Sequence, residues 1–154
     1  MKFDSKADID ATDWKLLSVI ERNARMSFAE LGRKLRLSAP AVAERVKRLE
    51  ERGVIQAYRT EIDLSALGRP LHVYLRSVVQ PSDYARFRKK IETLDSIFEC
   101  HHVTGTESFV LRAALDGVPS LEVLIQQLTA FGPTTTSVIL STTLDRRHYL
   151  PTQK

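Results

Sequence analysis

The 154-residue chain predicts an α+β fold in two unlike halves: three helices closed by a strand, then a β-α-β-β-α-β succession. Three observations carry that expectation. Apolar residues recur at helical spacing as far as Arg52, the pattern then alternates, and past a Gly- and Pro-bearing stretch strands and helices follow one another in split-βαβ order. The expected organisation is a first domain over 1–63, a linker over 64–70 short enough to restrict the geometry of the halves, and a second domain over 71–154.

In the first half, Asp13 to Asn23 carries Trp14, Leu16, Leu17 and Ile20 at helical spacing, with Thr12 as its N-cap. Ser27-Phe28-Ala29-Glu30 fits a capping box, in which Ser27 and Glu30 each satisfy an otherwise orphaned amide. The helix it opens runs to about Leu35 and is expected to bury Phe28, Leu31 and Leu35. Arg36-Leu37-Ser38 makes a tight turn, Ser38 caps a third helix, and Pro40 falls in the first turn, where a missing N–H costs nothing. That helix runs from about Ala39 to Arg52, with Val42, Val46 and Leu49 as its inner stripe and Gly53 as a left-handed stop. The alternation over Val54–Asp63 (Ile55, Ala57, Arg59, Ile62) predicts a strand or short hairpin, which completes a winged helix-turn-helix.

The second half gives a strand over Leu71–Val79 and a helix over Ser82–Leu94, capped by Ser82, with Tyr84, Phe87, Ile91 and Leu94 inward. Strands over Ile97–Thr104 and Ser108–Leu115 flank a turn at Gly105, a helix spans Pro119–Phe131, and a last strand spans Thr134–Leu144. This is the ferredoxin-like order. Helices cover one face of such a sheet, and an apolar bare face is costly in water, so a homodimer is expected.

Charge points to the partner. Residues 1–60 hold 13 Lys/Arg against 9 Asp/Glu, and residues 61–154 hold 10 against 10, so the whole net charge of +4 lies in the helical half. Clustered basic charge on a helix-turn-helix, with a sequence pI near 9.4, favours double-stranded DNA over general adhesion. The single Cys100 makes no internal disulfide and asks for no oxidising compartment. The first ten residues lack the apolar core of a signal peptide, and no run approaches the ~18 apolar residues of a membrane helix. A cytoplasmic location, without membrane attachment, is expected.

The third helix supplies the expected reader. Its N-terminus aims amides and a positive dipole at a phosphate, with Ser38 beside it. Arg33, Lys34 and Arg36 are placed to neutralise backbone charge, and Lys47 and Arg48 to extend that footprint. Base edges fall to Ala39, Pro40, Ala43 and Glu44: a carboxylate accepts from cytosine N4, and Ala or Pro touches thymine methyls. So thin a set of readers predicts modest base specificity, with DNA shape contributing. Arg45 sits at the edge of the buried stripe and is expected either to meet phosphate or to pair with Glu21 or Asp13.

Residue patterns along nearly the whole chain resemble the Lrp/AsnC family of leucine-responsive, or feast/famine, regulators. They are Asp10-x-x-Asp13, Asn23-Ala24-Arg25-Met26-Ser27, Leu37-Ser38, Val42-x-x-Arg45-Val46-x-Arg48-Leu49-Glu50, Gly53-Val54-Ile55 with Tyr58, Leu67-Gly68, Cys100-x-x-Val103-Thr104-Gly105, and Ser137 to Thr142. The resemblance implies transcriptional control, dimers that commonly close into an octamer, and a small effector, typically an amino acid, bound between dimers. Two positions depart from the family pattern: Ser108 stands where an acidic residue is frequent, and Gly132-Pro133 where Gly-Val is usual.

The implied effector site comprises Thr104, Gly105, Thr106, Glu107 and Ser108, with Thr134, Thr135 and Thr136. A zwitterion needs a carboxylate for its ammonium and amide or hydroxyl donors for its carboxylate, and this set has both. The plainer alternative is a β-turn with strand-favouring threonines and a solvated Glu107. Cys100-His101-His102 invites a metal, but Cys100 and His102 share a strand face while His101 opposes them, so His72 or His148 would have to converge. No metal and no cofactor is expected. Sirohaem decarboxylases also resemble this family, and His101, His102 and Arg112 are the residues such an enzyme would use here. The basic recognition helix serves no purpose in one, and the chain is expected not to be an enzyme. An architectural DNA-compacting protein without an effector is a third reading.

Overall fold

A computed structural model describes residues 9–145; residues 1–8 and 146–154, His148 among them, lie outside it. The chain divides into two compact units, the first running through Thr60 and the second spanning Glu61–Thr143.

The first unit is a three-helix cluster, α1 (Ala11–Arg22), α2 (Phe28–Leu35) and α3 (Ala39–Glu51). Leu16, Leu31, Val42, Val46 and Leu49 form its buried core, closed at the edge by Leu17, Ile20, Met26 and Leu35. Phe28, expected inside, is 45 % exposed: it stands on the same side of α2 as Leu31 but in the first turn, at the open edge of this core. Helix α1 begins two residues early. Its cap is Asp10 rather than Thr12, since Asp10 and Asp13 form a reciprocal box: the Asp13 amide donates to Asp10 Oδ1 at 2.7 Å and the Asp10 amide to Asp13 Oδ2 at 3.4 Å. The Ser27–Glu30 box on α2 forms as its sequence requires. Arg36 takes the left-handed conformation that ends α2, and Ser38 Oγ caps α3 by accepting from the Ala41 amide.

No strand forms over Val54–Asp63. A strand needs a neighbour to complete its hydrogen bonds, and no segment of the described residues pairs with this one. The amides of Val54 and Ile55 turn back onto the Leu49 carbonyl instead, past Gly53 at φ 69°, and Tyr58 folds onto α3.

The second unit is a four-stranded antiparallel sheet of order β2-β3-β1-β4, built from β1 (Leu71–Ser77), β2 (Ile97–His102), β3 (Phe109–Leu115) and β4 (Thr134–Val138). Helices α4 (Tyr84–Glu92) and α5 (Val118–Thr129) cover one face. Between them and the sheet lies a core of Val73, Leu75, Phe87, Phe109, Leu111, Leu121, Leu124 and Leu128. The elements appear in the expected order, with shorter ends. Pro81 fixes its own φ and tightens Pro81–Asp83 into a 3₁₀ turn, so Ser82 caps nothing and α4 begins at Tyr84. Strand β4 ends at Val138, short of the expected Leu144; the Ile139 amide still donates to the His72 carbonyl at 2.9 Å, and β1, the neighbour it pairs with, reaches back only to Leu71.

Candidate functional site

The α2–turn–α3 unit is held at close quarters. A Cβ on Gly32 would lie 2.6 Å from the Leu37 carbonyl oxygen, so the turn approaches α2 as closely as glycine alone permits. Helix α3 then presents two kinds of polar residue. Glu44 and Lys47 point to solvent, Lys47 with a side chain 67 % exposed and only a long 3.8 Å contact to Glu51. Arg33, Lys34, Arg36 and Pro40 are likewise exposed, while Ala39 and Ala43 are half-buried beside them.

Arg45 and Arg48 turn inward. Arg45 Nη1 lies 2.7 Å from both Asp10 Oδ2 and Asp13 Oδ1, and Arg48 Nη2 lies 3.4 Å from Asp13. Asp13 is the buried anchor, its side chain 2 % exposed against 25 % for Arg45 and 39 % for Arg48. The hydrogen bond from Arg45 is the main cause that holds the Asp10 carboxyl below its usual range, and Asp10 in return raises the Arg45 pKa. Of the two roles open to Arg45, the geometry selects pairing, with Asp13 and Asp10 rather than Glu21. Arg48, expected in the phosphate footprint, joins the same clamp between α1 and α3. On the other flank of α3 the Tyr58 hydroxyl donates to Glu50 Oε1 at 2.9 Å, and partial burial, reinforced by Glu50, pushes its pKa up to about 12.

In the second unit, the two segments of the implied effector site meet at one end of β1. Ser77 pairs with Phe109 on one side and Thr134 on the other, which brings the loop before β3 and the start of β4 to its flanks. Ser77 is wholly buried and its hydroxyl bonds Thr134 Oγ1 at 3.0 Å, while its carbonyl accepts the Ser108 amide at 2.9 Å. Ser108 is a clasp: its Oγ accepts from the Val79 amide at 3.1 Å and donates to the Val79 carbonyl at 3.0 Å. A hydroxyl can do both, and a carboxylate can only accept. Gly132, at φ 146°, passes so close to Val78 that a Cβ would lie 2.0 Å from its carbonyl oxygen, and Pro133 returns a carbonyl to the Val78 amide at 2.9 Å.

Ser108 and Thr134 are therefore committed within the fold. Thr104, Gly105, Thr106 and Thr135 are exposed, Glu107 and Thr136 half-buried, and Thr136 Oγ1 is buried without a hydrogen-bond partner. The Thr106 hydroxyl donates to Glu107 Oε2 at 2.8 Å and is the first cause keeping the Glu107 carboxyl below its usual range, hence ionised at neutral pH. Sequence reasoning missed Ser77, whose signal was a lone hydroxyl in an apolar strand, and Gly32, whose signal was a glycine inside a helix.

The residues that metal or tetrapyrrole chemistry would use point apart. His102 stacks on Phe109 and meets Tyr84 edge-on beneath α4, His101 Nε2 donates to Glu99 at 2.6 Å, and His72 bonds the Arg69 carbonyl. Arg112 pairs with Glu99 at 3.1 Å on the sheet's bare face, over Tyr74 and Phe98. No group of three or more metal-ligating side chains gathers among the described residues. No described helix is long and apolar enough to cross a membrane.

Comparison with known proteins matches residues 9–50 to an AsnC-type helix-turn-helix domain and residues 72–149 to an Lrp/AsnC ligand binding domain. The transcriptional regulator LrpC of Bacillus subtilis is 34 % identical over 133 residues, 86 % of this chain and 92 % of that one. Its solved structure superposes with a TM-score of 0.84 over 88 % of this chain and 97 % of that one. The regulator LrpA of Mycobacterium tuberculosis is 32 % identical over 146 residues, 93 % of this chain and 97 % of that one. A feast or famine regulatory protein from M. tuberculosis, complexed with L-methionine, superposes at 0.83 with 30 % identity, over 92 % of this chain and 99 % of that one.

Proposed function

From the premise that the chain belongs to the Lrp/AsnC family of transcriptional regulators, we propose that it controls transcription by laying α3 in the major groove and answering to an amino acid at the Ser77 end of its sheet. One observation carries the DNA reading: a serine-capped helix, held against α2 at glycine distance, with Lys47 and Glu44 exposed on its outer side. Arg33, Lys34, Arg36, Ser38 and Lys47 hold phosphates, and Ala39, Pro40, Ala43 and Glu44 face base edges. Arg45 and Arg48 aim the helix by fixing it to α1. The protein acts as a dimer whose helices lie about 34–36 Å apart on a degenerate palindrome, and dimers assemble further into an octamer in the cytoplasm.

The effector is an amino acid. Glu107 receives its ammonium, and Thr104, Thr106 and Thr135 with the backbone at Gly105 serve its carboxylate, while Ser108, Thr134 and Thr136, the last opposite Leu75 on the core face, hold the walls. The ionised Glu107 and the methionine bound by the mycobacterial relative support this class of ligand.

Binding to the DNA upstream of its own gene, against an equal-length scrambled fragment, tests the reading at low and physiological salt. Preference that survives the higher salt is expected. Equal binding that vanishes with salt would replace the regulator with an architectural protein. Lys47→Gln should weaken binding to every sequence and reduce the logarithmic salt slope by about 0.9 for each α3 on the DNA, one phosphate contact per protomer; an unchanged slope would remove Lys47 from the interface.

A further inference from the structure

The second unit, Glu61–Thr143, carries 7 Lys/Arg and 9 Asp/Glu. Four of those seven cations, Arg86, Arg88, Lys89 and Lys90, fall within five consecutive residues of α4; apart from them the unit holds 3 cations against 9 anions. A surface that is otherwise acidic thus concentrates its positive charge on one helix.

The helix's own structure does not require this. Phe87 is buried, with Tyr84 and Ile91 packed beside it, so the line through these residues faces the sheet. Arg86 and Lys89 are exposed on the other side and Lys90 is half-buried at its edge; at i, i+3 and i+4 their like charges repel by a few tenths of a kcal/mol per pair. Lys89 and Lys90 suit the negative end of the helix dipole, but Arg86 and Arg88 lie too near its positive end to gain from it. Only Arg86 has partners, Asp83 at 3.1 Å and the Phe131 ring at 4.8 Å. The side chains of Arg88, Lys89 and Lys90 make no hydrogen bond or ion pair among the described residues.

We propose that the Arg86–Lys90 stripe of α4 is a second DNA-contacting surface, which grips the phosphate backbone without reading bases. The inference rests on the DNA-binding function argued above. The occupant follows from the chain itself: a duplex held by α3 is presented to the tethered second unit at high effective concentration. Lone cations without planar, preorganised partners neutralise phosphates and do not discriminate bases. The stripe lengthens the track of DNA the protein holds beyond the operator.

Full-length Lys89→Gln/Lys90→Gln tests this, because both side chains are unpartnered and the variant should keep its unfolding midpoint. Affinity is measured across a salt series on a duplex of about two helical turns and on one about ten times longer. On the long duplex the variant should lose about 1.8 from the logarithmic salt slope for each protomer whose α4 touches the DNA, two phosphate contacts apiece, and about tenfold or more in affinity. Lys89→Arg/Lys90→Arg should restore both, since charge alone is needed. On the short duplex the change should be small. An unchanged slope on the long duplex overturns the proposal, and does so equally if the Gln variant loses self-association instead, which would assign α4 to protein contact. Arg33→Gln/Lys34→Gln/Lys47→Gln serves as the comparison. If that variant binds like wild type while the α4 variant does not, the recognition-helix reading fails and the α4 contact stands. Absence of wild-type binding to either duplex overturns both.

Discussion

Asp13 shows how much one residue settles. It is a buried carboxylate shared by two arginines, and losing its charge leaves Arg45 with the exposed Asp10 and takes from Arg48 the carboxylate it pairs with. Breaking a fully buried pair costs roughly 3–5 kcal/mol, but both guanidinium groups can rehydrate here, so Asp13→Asn should cost about 2 kcal/mol. A urea midpoint that drops with an unchanged slope would show it, and a shift below about 0.5 kcal/mol would mean that the clamp holds nothing. Acid should act on the same clamp. Arg45 keeps the Asp10 carboxyl below its unfolded value, so the stabilisation is complete above that value and fades as pH falls through the folded one. Stability followed by urea from neutrality downward should therefore begin to fall below about pH 5, near the ordinary carboxylate range. Asp10→Asn should flatten part of that fall. The site was legible in the sequence where side chains act locally. The Ser38 cap and the exposure of Lys47 follow from spacing along one helix. The inward turn of Arg45 and Arg48 depends on residues more than 30 positions away, and a spacing rule that places an arginine at a stripe's edge cannot say which neighbour arrives there.

At the scale of the element, Gly32 sets two effects against each other. Alanine in a helix interior is favoured over glycine by about 1 kcal/mol. Here the added Cβ would press at 2.6 Å on the backbone oxygen of Leu37, which cannot rotate aside, and overpacking of that kind costs about 1–3 kcal/mol. Gly32→Ala should thus destabilise the first unit and, by prying α3 from α2, weaken DNA binding more than stability alone explains. A variant as stable as wild type that binds DNA normally would show that the turn has slack. Helices, and the caps at Ser27 and Ser38, were readable because their hydrogen bonds close within four residues, whereas the caps assigned to Thr12 and Ser82 fell to Asp10 and to the turn at Pro81. Strand ends were not, because a strand's length is its neighbour's decision. Val78 and Val79 have strand-forming side chains, yet their backbone groups go to Pro133 and Ser108, and β1 stops at Ser77. The alternation over Val54–Asp63 failed for the same reason: the pattern was present and the partner was not.

For the whole molecule the decisive feature is the sheet face that the helices leave bare. Tyr74 and Phe98 are 37 % and 47 % exposed there, flanking Arg112, which their rings and Glu99 hold in place. Two aromatic rings with one acid and one base between them can meet a rotated copy of themselves with opposite charges facing, which is the requirement of a two-fold interface. Aromatic residues with an embedded arginine are also the composition of interface centres rather than of rims. Tyr74→Asp/Phe98→Asp should therefore turn the proposed dimer into a folded monomer, since neither side chain contributes to the core between sheet and helices. The consequence for DNA follows from linkage of two modest binders. A lone α3 with few base-edge donors binds weakly, and the second α3 of a dimer adds its contacts at the local concentration set by the tether. The monomer should lose at least about a hundredfold in operator affinity while a half-site duplex is bound almost as well as by wild type. Sedimentation and binding to the two duplexes decide it together. A double variant that still sediments as a dimer places the self-association elsewhere, and a monomer with wild-type operator affinity would mean that one recognition helix suffices.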